Sequence, residues 1–310
     1  MKTRNMNKTK IVVIIVTYKG YRWYDRCFTS LRHSNVPLQT IVVDNASNDG
    51  TVEYIREKFP EIFIIESKEN LGFAKANNIG IKYALEDNAD YVFLLNQDAW
   101  IEKNTLTYLL QTFEDSTHVG IASPMHLNGS YTGLDREFCD YVGPEFISDL
   151  FLGKLQSYYK IPMVNAAAWL VSRECIQKVG GFDSSLFKHY GEDDNYAQRV
   201  LYHGMKIILN TKSTICHDRE QRTDKPIESM FNKGNPYFYY IHQQSNVLIE
   251  FNDFQVIQKK RMLLIISLLC LRFKRAKRLK LEIDIDKKIA NSRNINITIG
   301  GGLKWLDAYL

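Results

Sequence analysis

Three polar segments in the first hundred residues each follow directly after an apolar run, and their side chains could bind or activate a ligand. They are Thr17-Tyr18, Asp44 and Asn96-Gln97-Asp98. Short apolar runs rich in β-branched residues predict buried strands. Because ligands of open α/β sheets bind beyond the carboxyl ends of the strands, we expect these segments to meet at one edge of a sheet.

A further apolar run is followed by Gly72, Lys75 and Asn77. Glycine permits close approach of the backbone to a ligand, a lysine ammonium could meet the charge of a diphosphate, and the asparagine could hold the same loop or a nucleotide. The alternative is an ordinary helix start with a solvated lysine, since isolated basic residues usually lie on the surface. Both interpretations stay open at this point.

Three consecutive acids, Glu192, Asp193 and Asp194, precede an amphipathic helical pattern. The helix dipole favours negative charge there, so a structural role is one explanation. Clustered carboxylates also raise one another's pKa, which suits a general base. Arg199, about two turns further on, could pair with these acids or with a phosphate. A lone histidine, His217, ends the last predicted strand, and such histidines are more often structural than ligands.

The apolar pattern also predicts the elements that must position these residues. Strands are expected at 11–16, 40–43, 62–65, 91–95, 119–122, 206–209 and 213–216, order returns over 161–171, and helices are expected at 24–34, 51–58, 73–86, 104–114 and 192–203. The alternation predicts an α/β fold with a mixed, mostly parallel sheet. Residues 128–159 have a poor pattern and are expected to form a mobile loop or an insertion that faces a substrate.

Composition and charge narrow the class of protein. The chain has 310 residues, 45% of them hydrophobic and 24% charged, which is enough for a full core. Nine Lys or Arg residues and no acid lie within 259–280, so the remainder is mildly acidic and we expect no nucleic-acid partner. The five scattered cysteines form no C-x-x-C pair. They fit a reducing, cytoplasmic setting without a zinc or redox motif.

The chain beyond residue 229 looks helical and carries the basic stretch 259–280. Within this stretch the run Met262–Leu271 is apolar except for Ser267, and cations flank it on both sides. The run is too short to span a bilayer, which takes about 20 residues. It fits a helix that lies on an anionic membrane surface. The alternative is a helix packed on the body of the protein or on a second subunit in a homodimer.

Taken in order, the segments VVDNASNDGT, ENLGFAKANNIGI, LLNQDAW, GGFD and YGEDDNYAQRV resemble those of inverting family 2 glycosyltransferases with a GT-A fold, over residues 11–220. The Asn-x-Asp form and the ENLGFA segment are most similar to the rhamnosyltransferase-like branch. The resemblance implies a GT-A catalytic domain over 1–228, with a donor-binding half at 10–100 and an acceptor-binding, catalytic half at 101–228. A helical, basic C-terminal extension over 229–310 would follow.

The resemblance also implies a role for each candidate residue. Asp193 would be the catalytic base, and Asp98, the last residue of the family's D-x-D motif, would hold a divalent cation, Mn²⁺ or Mg²⁺, together with His217. The acceptor would contact Trp169, Glu192 and Asp194. The nucleotide-sugar donor would contact Thr17, Tyr18, Asp44, Gly72, Lys75, Asn77, Asn96, Gln97 and Asp98.

Some of these residues have a structural alternative. Asp44 could cap its own turn, Asp98 could cap the next helix, and Trp169 could be an ordinary core tryptophan. Asn96 stands where the D-x-D motif has its first Asp, which removes one charge from the cation site.

The implied reaction is inverting transfer of a sugar from a UDP- or dTDP-sugar to a glycan or lipid-linked acceptor, in bacterial surface polysaccharide synthesis such as that of O-antigen or capsule. A nucleotidyltransferase is one alternative, but the segment 17–20 is a poor match to the basic, glycine-rich loop it would need. A non-catalytic sugar-nucleotide-binding protein is another, and the presence of both Asp98 and Asp193 speaks against it. The expected location is the cytoplasm, with peripheral membrane contact through 259–280.

Overall fold

The computed structural model describes residues 9–187, 190–219, 236–298 and 309–310. These residues form a mixed sheet with the strand order β3-β2-β1-β4-β8-β6-β9-β5, and β7 pairs with β9 outside this path. The strands are β1 (Ile11–Thr17), β2 (Gln39–Asp44), β3 (Phe63–Glu66), β4 (Tyr91–Leu95), β5 (Ala99–Ile101), β6 (Val119–Asn128), β7 (Tyr158–Lys160), β8 (Ala168–Ser172) and β9 (Lys206–His217).

Helices cover both faces of this sheet. They are α1 (Tyr21–Arg32), α2 (Thr51–Lys58), α3 (Gly72–Glu86), α4 (Thr105–Asp115), α5 (Arg136–Phe151), α6 (Arg173–Val179), α7 (Glu192–Tyr202), α8 (Phe238–Ser245), α9 (Asp253–Leu269) and α10 (Phe273–Ile297). Along β1, Val12 and Ile14 pack with α3, α6 and α7, whereas Val13 and Ile15 pack with α1, α2 and α4. Burial on both faces explains why this strand is an unbroken apolar run.

The sheet topology brings the ends of distant strands to one edge. β3, β2, β1 and β4 are parallel to one another. β8 runs antiparallel to β4 and to β6, and β6 is parallel to β9. β9 therefore runs in the same direction as β4, and its last residue, His217, lies at the edge where Thr17, Asp44 and Asn96 also lie. The predicted mixed α/β sheet is confirmed.

Two local predictions are wrong. Residues 206–217 form one strand, because Asn210 is buried and its amide donates to the carbonyl of Tyr108 (2.6 Å), so the polar interruption is accommodated within the sheet. Residues 136–151, expected to lie in a mobile loop or in an insertion that faces a substrate, form the helix α5, which rules out the loop and leaves the insertion untested. A left-handed Gly143 (φ 77°) followed by Pro144 kinks this helix, and the kink breaks the helical periodicity that would have revealed it.

The C-terminal part of the described chain is helical, as predicted, and one region of it packs on the sheet domain. Ile241 of α8 and Ile289 of α10 form an apolar cluster with Phe187. The buried carboxylate of Asp183 accepts hydrogen bonds from Ser292 and Asn296 of α10. The predicted domain boundary at 228–229 lies outside the described residues. None of the described helices is long and apolar enough to cross a membrane.

Candidate active site

The first part of the site is the turn that follows β2. The buried carboxylate of Asp44 accepts hydrogen bonds from Thr17 Oγ1 (2.9 Å), from the Ser47 amide (3.0 Å) and from Ser47 Oγ (2.5 Å). This is the turn-capping role that the sequence left open, and it also ties β1 to β2. A contact between Asp44 and a nucleotide stays a prediction.

The loop after β1 is held by the side chain of Gln97. The Tyr18 amide donates to Gln97 Oε1 (2.9 Å), and Gln97 Nε2 donates to the Tyr18 carbonyl (3.1 Å). Gly20 lies so close that a Cβ there would be 2.3 Å from Gln97 Oε1, so a larger residue would displace the Gln97 amide from Tyr18. The Tyr18 ring is 40% exposed, which leaves it available to a ligand at this edge.

Two asparagines that the sequence analysis did not single out lock the loop before α3. Asn70 Oδ1 accepts the Gly72 amide (2.9 Å) and Asn45 Nδ2 (3.0 Å), and Asn45 Oδ1 accepts the Leu71 amide (2.7 Å). Gly72 has φ 82°, a conformation that favours glycine. The ENLG segment therefore builds a fixed loop next to the turn after β2.

The next residues of α3 divide between structural and open roles. Asn77 is buried and donates to the Phe73 carbonyl one turn earlier (2.9 Å), which fits a structural role in the helix. Lys75 is half-buried, and its contact with a diphosphate stays a prediction. Asn78, which the sequence analysis missed, donates to the Phe182 carbonyl and accepts the Phe182 amide, both at 2.8 Å. It fixes the segment that leads to the acidic cluster Glu192–Asp194.

The centre of the edge is the pair formed by Asp98 and His217. His217 Nε2 lies 3.4 Å from Asp98 Oδ1 and 3.4 Å from Asn96 Nδ2. Both Asp98 and His217 are almost fully buried. Asp98 is not the cap of a helix, since β5 follows it and α4 is preceded by Asn104. The backbone carbonyl of Asp98 accepts the Asp218 amide (2.9 Å), which fixes the pair across the two strands.

A second layer of charged groups surrounds the other side of the His217 ring. His217 Nδ1 lies 3.5 Å from Asp135 Oδ2 and 3.2 Å from Arg219 Nε. Arg219 also pairs with Asp135 (3.2 Å) and with Glu137. A carboxylate on the far ring nitrogen is the usual way a protein orients a metal-binding histidine. The sequence analysis missed Asp135 and Arg219, because no local pattern places them beside His217.

The donor set fits a divalent cation that is only partly held by protein. Asp98 offers a carboxylate oxygen and His217 an imidazole nitrogen within 3.4 Å of each other. The described residues contain no cluster of three or more His, Cys, Asp or Glu groups that could hold a metal by themselves. A hard cation prefers six or more ligands, mostly oxygen, so a bound ligand rich in oxygen would have to supply the rest.

The acidic cluster Glu192–Asp194 begins α7, after the left-handed Gly191. Burial, with the charge of Asp193 second, raises the pKa of Glu192 to about 8, and Glu192 Oε2 has no hydrogen-bond partner among the described residues. Asp194 pairs with His242 of α8, and this hydrogen bond raises the pKa of His242.

Asp193 is the member of the cluster best placed to act as a base. It is partly exposed, and its carboxylate accepts the amides of Asp194 (2.9 Å) and Ala166 (3.4 Å). Burial of the carboxylate raises the pKa of Asp193, although these amide bonds act in the opposite direction. Burial and the charge of Asp193 raise the pKa of Tyr141 on α5, so the helix that the sequence did not predict borders this carboxylate.

One short segment connects the acidic cluster to Asp98 and His217, the candidate cation-binding residues that we call the cation pair. The Ala166 amide donates to Asp193, and the carbonyl of Ala167, the next residue, accepts the Asn96 amide (2.9 Å). Two adjacent residues thus touch Asp193 on one side and the segment of Asp98 on the other. This link makes the acidic cluster and the segment that contains Asp98 neighbours in the structure.

Two expectations for this region are corrected by the structure. Trp169 has no exposed surface, and its indole packs between Phe182 and Tyr196. No face of the indole is left for an acceptor sugar, so Trp169 is a core tryptophan. Arg199 is buried and donates to the carbonyls of Val179 (3.1 Å) and Gly181 (2.5 Å), not to the acids or a phosphate.

Comparison with known proteins identifies the family of this chain. The family model "Glycosyl transferase family 2" matches residues 12–180. The dTDP-rhamnosyl transferase RfbF of Shigella flexneri is 26% identical over 67% of this chain and 69% of its own length. The O-antigen chain rhamnosyltransferase WbaN of Salmonella anatum is 23% identical over 72% of this chain and 70% of its own length. This chain therefore resembles rhamnosyltransferases.

Solved structures show the same fold. A crystal structure of GalNAc-T7 with UDP, GalNAc and Mn²⁺ superposes with a TM-score of 0.59, at 16% identity, over 76% of this chain and 48% of that chain. At this identity the likeness establishes the fold, which is GT-A. The family match covers more than half of the chain, from the first strand to the start of the segment before the acidic cluster. The chain belongs to glycosyl transferase family 2 and is a glycosyltransferase.

Proposed function

We propose that this enzyme transfers a sugar, with inversion, from a UDP- or dTDP-sugar to a hydroxyl of a glycan or lipid-linked acceptor in bacterial surface polysaccharide synthesis. The observation that carries the proposal is the link through Ala166 and Ala167, which joins Asp193 to the segment of Asp98 and His217. A proton acceptor and a cation-binding pair in one site are what glycosyl transfer from a diphosphate requires. The reducing cytoplasm is the proposed location, and all five cysteines are free.

The donor lies along the sheet edge in this proposal. Asp98 and His217 would hold a Mn²⁺ or Mg²⁺ ion, and Asn96 lies beside His217. Lys75 would meet the negative charge of the diphosphate. The cation offsets the charge that develops on the departing nucleoside diphosphate. Thr17, Tyr18 and Asp44 contact the nucleotide in this proposal. The Tyr18 ring is exposed and can do so without a change in the structure, whereas Thr17 and Asp44 are buried.

Asp193 carries the proton chemistry. Its carboxylate takes the proton of the acceptor hydroxyl while that oxygen attacks the anomeric carbon from the side opposite the leaving diphosphate. The oxygen–carbon bond forms as the carbon–oxygen bond to the diphosphate breaks, so the configuration at the anomeric carbon inverts. Because burial raises the pKa of Asp193, the carboxylate is a stronger base than an exposed one. Glu192 and Asp194 flank the acceptor hydroxyl.

The donor we favour is a dTDP-activated deoxyhexose. RfbF is a dTDP-rhamnosyl transferase and WbaN acts on an O-antigen chain, and both align over more than two thirds of this chain. The motifs of the site do not select the sugar, which depends on the shape of the pocket around it.

A thermal-shift panel of dTDP-, UDP- and GDP-sugars, each with Mn²⁺, Mg²⁺ or EDTA, tests donor binding. A ligand that binds only the folded state raises stability by mass action. We expect a cation-dependent shift with a dTDP- or UDP-sugar, and release of the nucleoside diphosphate when a lipid-linked glycan is added. No shift with any donor would overturn the proposal, and a shift without turnover of any donor would favour a non-catalytic binding protein.

A further inference from the structure

Helices α9 and α10 form an antiparallel hairpin whose two ends differ. At the base of the hairpin, Lys260 of α9 pairs with the buried Asp286 of α10 (2.7 Å) and joins the two helices. Arg293 of α10 donates to the carbonyls of Gln244, Asn246 and Ile249 and so ties the base to the preceding segment. The turn lies at residues 270–272, where the Arg272 amide donates to the Ser267 carbonyl (2.8 Å). At 1.5 Å per helical residue, the turn lies roughly 20 Å beyond Asp286.

The free end of the hairpin, residues 262–280, exposes an apolar surface. We call this end the hairpin tip. Leu269 is 79% exposed, Leu271 72% and Phe273 64%. The other exposed apolar side chains of the tip are Met262, Ile265, Ile266 and Leu268. A contiguous apolar surface of this kind usually marks an interaction site.

Cations surround this apolar surface. The exposed ones are Lys259, Arg261, Arg272, Lys274, Arg275, Lys277, Arg278 and Lys280. Among the described residues, Arg278 is the member of this group that pairs with an acid, Glu282. The remaining cation of the stretch, Lys260, forms the ion pair with Asp286 at the base of the hairpin. The tip therefore carries apolar side chains and unneutralised positive charge together, with no acid between 259 and 280.

We infer that the hairpin tip docks on an anionic lipid surface. Apolar side chains enter the boundary of the bilayer while Lys and Arg side chains meet anionic headgroups. A nucleic acid would use the cations but not the apolar residues. A second copy of this chain, which is only mildly acidic outside 259–280, would use the apolar residues but would not account for the cluster of cations. The lipid surface is the partner that uses both features.

The contacts of α8 and α10 connect this docking to the catalytic domain. Asp194 pairs with His242 of α8, and Asp183, which precedes the acidic cluster, is bonded to Ser292 and Asn296 of α10. The hairpin is thus attached to the catalytic domain through α8 and the C-terminal part of α10, and the hairpin tip lies away from these contacts. The inference does not rest on the proposed reaction, because it concerns binding to lipid and is tested without any donor or acceptor.

Vesicle flotation of the full chain tests the inference. The vesicles are phosphatidylcholine alone or phosphatidylcholine with one third phosphatidylglycerol. We expect binding to the anionic vesicles only. The triple variant Arg272→Glu/Lys274→Glu/Arg275→Glu should bind roughly 100-fold more weakly, since each cation near an anionic surface contributes about a factor of five. The variant Leu269→Ser/Phe273→Ser should lose the part of the binding that persists at high salt.

A matched control separates local from overall charge. Lys58, Lys154 and Lys212 are exposed on the sheet domain, and Lys58→Glu/Lys154→Glu/Lys212→Glu changes the net charge by the same amount. We expect this control to bind anionic vesicles like the unaltered protein. Equal losses in both triple variants, or no binding to anionic vesicles, would overturn the inference. So would a dimer in solution that Leu269→Ser/Phe273→Ser disperses without any vesicle binding, or duplex DNA binding that exceeds vesicle binding and ignores that apolar change.

Discussion

In the proposed active site, the cation pair and the acidic cluster are held in different ways. Asp98 and His217 lie at the ends of neighbouring parts of one sheet, are almost fully buried, and are backed by Asp135 and Arg219. The acidic cluster begins a helix, contains a carboxylate oxygen that has no partner within the described part of the chain, and is tied through Asp194 to α8, outside the sheet.

The difference indicates which part of the fold positions each group of residues. Strand register fixes the cation pair, so only changes in the pair or its immediate charged neighbours should weaken it. Helix packing fixes the acidic cluster, so changes in the C-terminal extension should reach it. The following substitutions test this division, and they are ordered by expected effect.

Asp193→Asn should have the largest effect. We expect kcat to fall by roughly 10² to 10⁴, the usual contribution of a general base, while donor binding stays unchanged. The measurement is release of nucleoside diphosphate under single turnover, together with a donor titration. Asp194→Asn is the matched comparison, because Asp194 is bonded to His242 and takes no proton in this proposal, so its loss of kcat should be much smaller. Similar losses in the two variants would remove the assignment of Asp193.

Glu192→Gln should change the pH dependence of stability. Burial raises the pKa of Glu192 in the folded protein to about 8, which exceeds its pKa in the unfolded chain. The contribution of Glu192 to stability is therefore fully present below the unfolded pKa. It is lost as the pH rises from the unfolded pKa to about 8. Since one pKa unit is about 1.4 kcal/mol, the loss is on the order of 3 kcal/mol between pH 5 and pH 8. Glutamine resembles the protonated acid and lacks this loss.

Urea unfolding at both pH values measures the difference. Glu192→Gln should be more stable than the unaltered protein at pH 8, and the two should converge near pH 4. The exposed Glu174 at the start of α6 gives the control, Glu174→Gln, which should keep the pH dependence of the unaltered protein. An unchanged slope in Glu192→Gln would show that this carboxyl is already ionised in the folded state at neutral pH.

Asp135→Asn should weaken cation affinity by about 10- to 100-fold, because it removes the carboxylate that faces His217 Nδ1. Titration with Mn²⁺ in the presence of dTDP or UDP measures this affinity. Glu137→Gln also removes a partner of Arg219 but no group that faces His217, so it serves as the control. Equal effects would mean that Arg219, and not the carboxylate on His217, controls the pair.

His242→Gln should have the smallest effect. The hydrogen bond to Asp194 raises the pKa of His242 in the folded protein. The stability that this pair contributes is therefore present below pH 6.5 and is lost as the pH rises through the raised pKa of the folded state. For a partly exposed pair we expect a loss of about 0.5–1 kcal/mol at pH 6 and none at pH 9, by urea unfolding. Mn²⁺ affinity should not change, and a change there would break the division between the two regions.

The sheet and its edge could be predicted because their signals are local. Short apolar runs identified β1, β2 and β4, and the polar residues that follow them, such as Asp44 and Asp98, lie where parallel strands must place them. α5 could not be predicted, since Gly143 and Pro144 interrupt its pattern while Phe138 and Phe146 are buried by long-range packing.

The supporting residues of the site were missed or misassigned for the same physical reason. Asp135, Asn45 and Asn78 act through contacts with segments far away in the chain. Trp169 and Arg199 have side chains that suit a sugar or a phosphate, but their burial depends on which helices pack over them. Residue type suggests a chemistry, and tertiary packing decides whether a ligand can reach it.

Calorimetric titration of dTDP and UDP with Mn²⁺ into the unaltered protein, Asp98→Asn and Asp193→Asn tests the central claim most directly, because it needs no acceptor. We predict cation-dependent binding that is at least about ten-fold weaker in Asp98→Asn, a loss of about 1.4 kcal/mol or more, and unchanged in Asp193→Asn. Equal nucleotide and Mn²⁺ binding in all three proteins would contradict a cation site at Asp98 and His217.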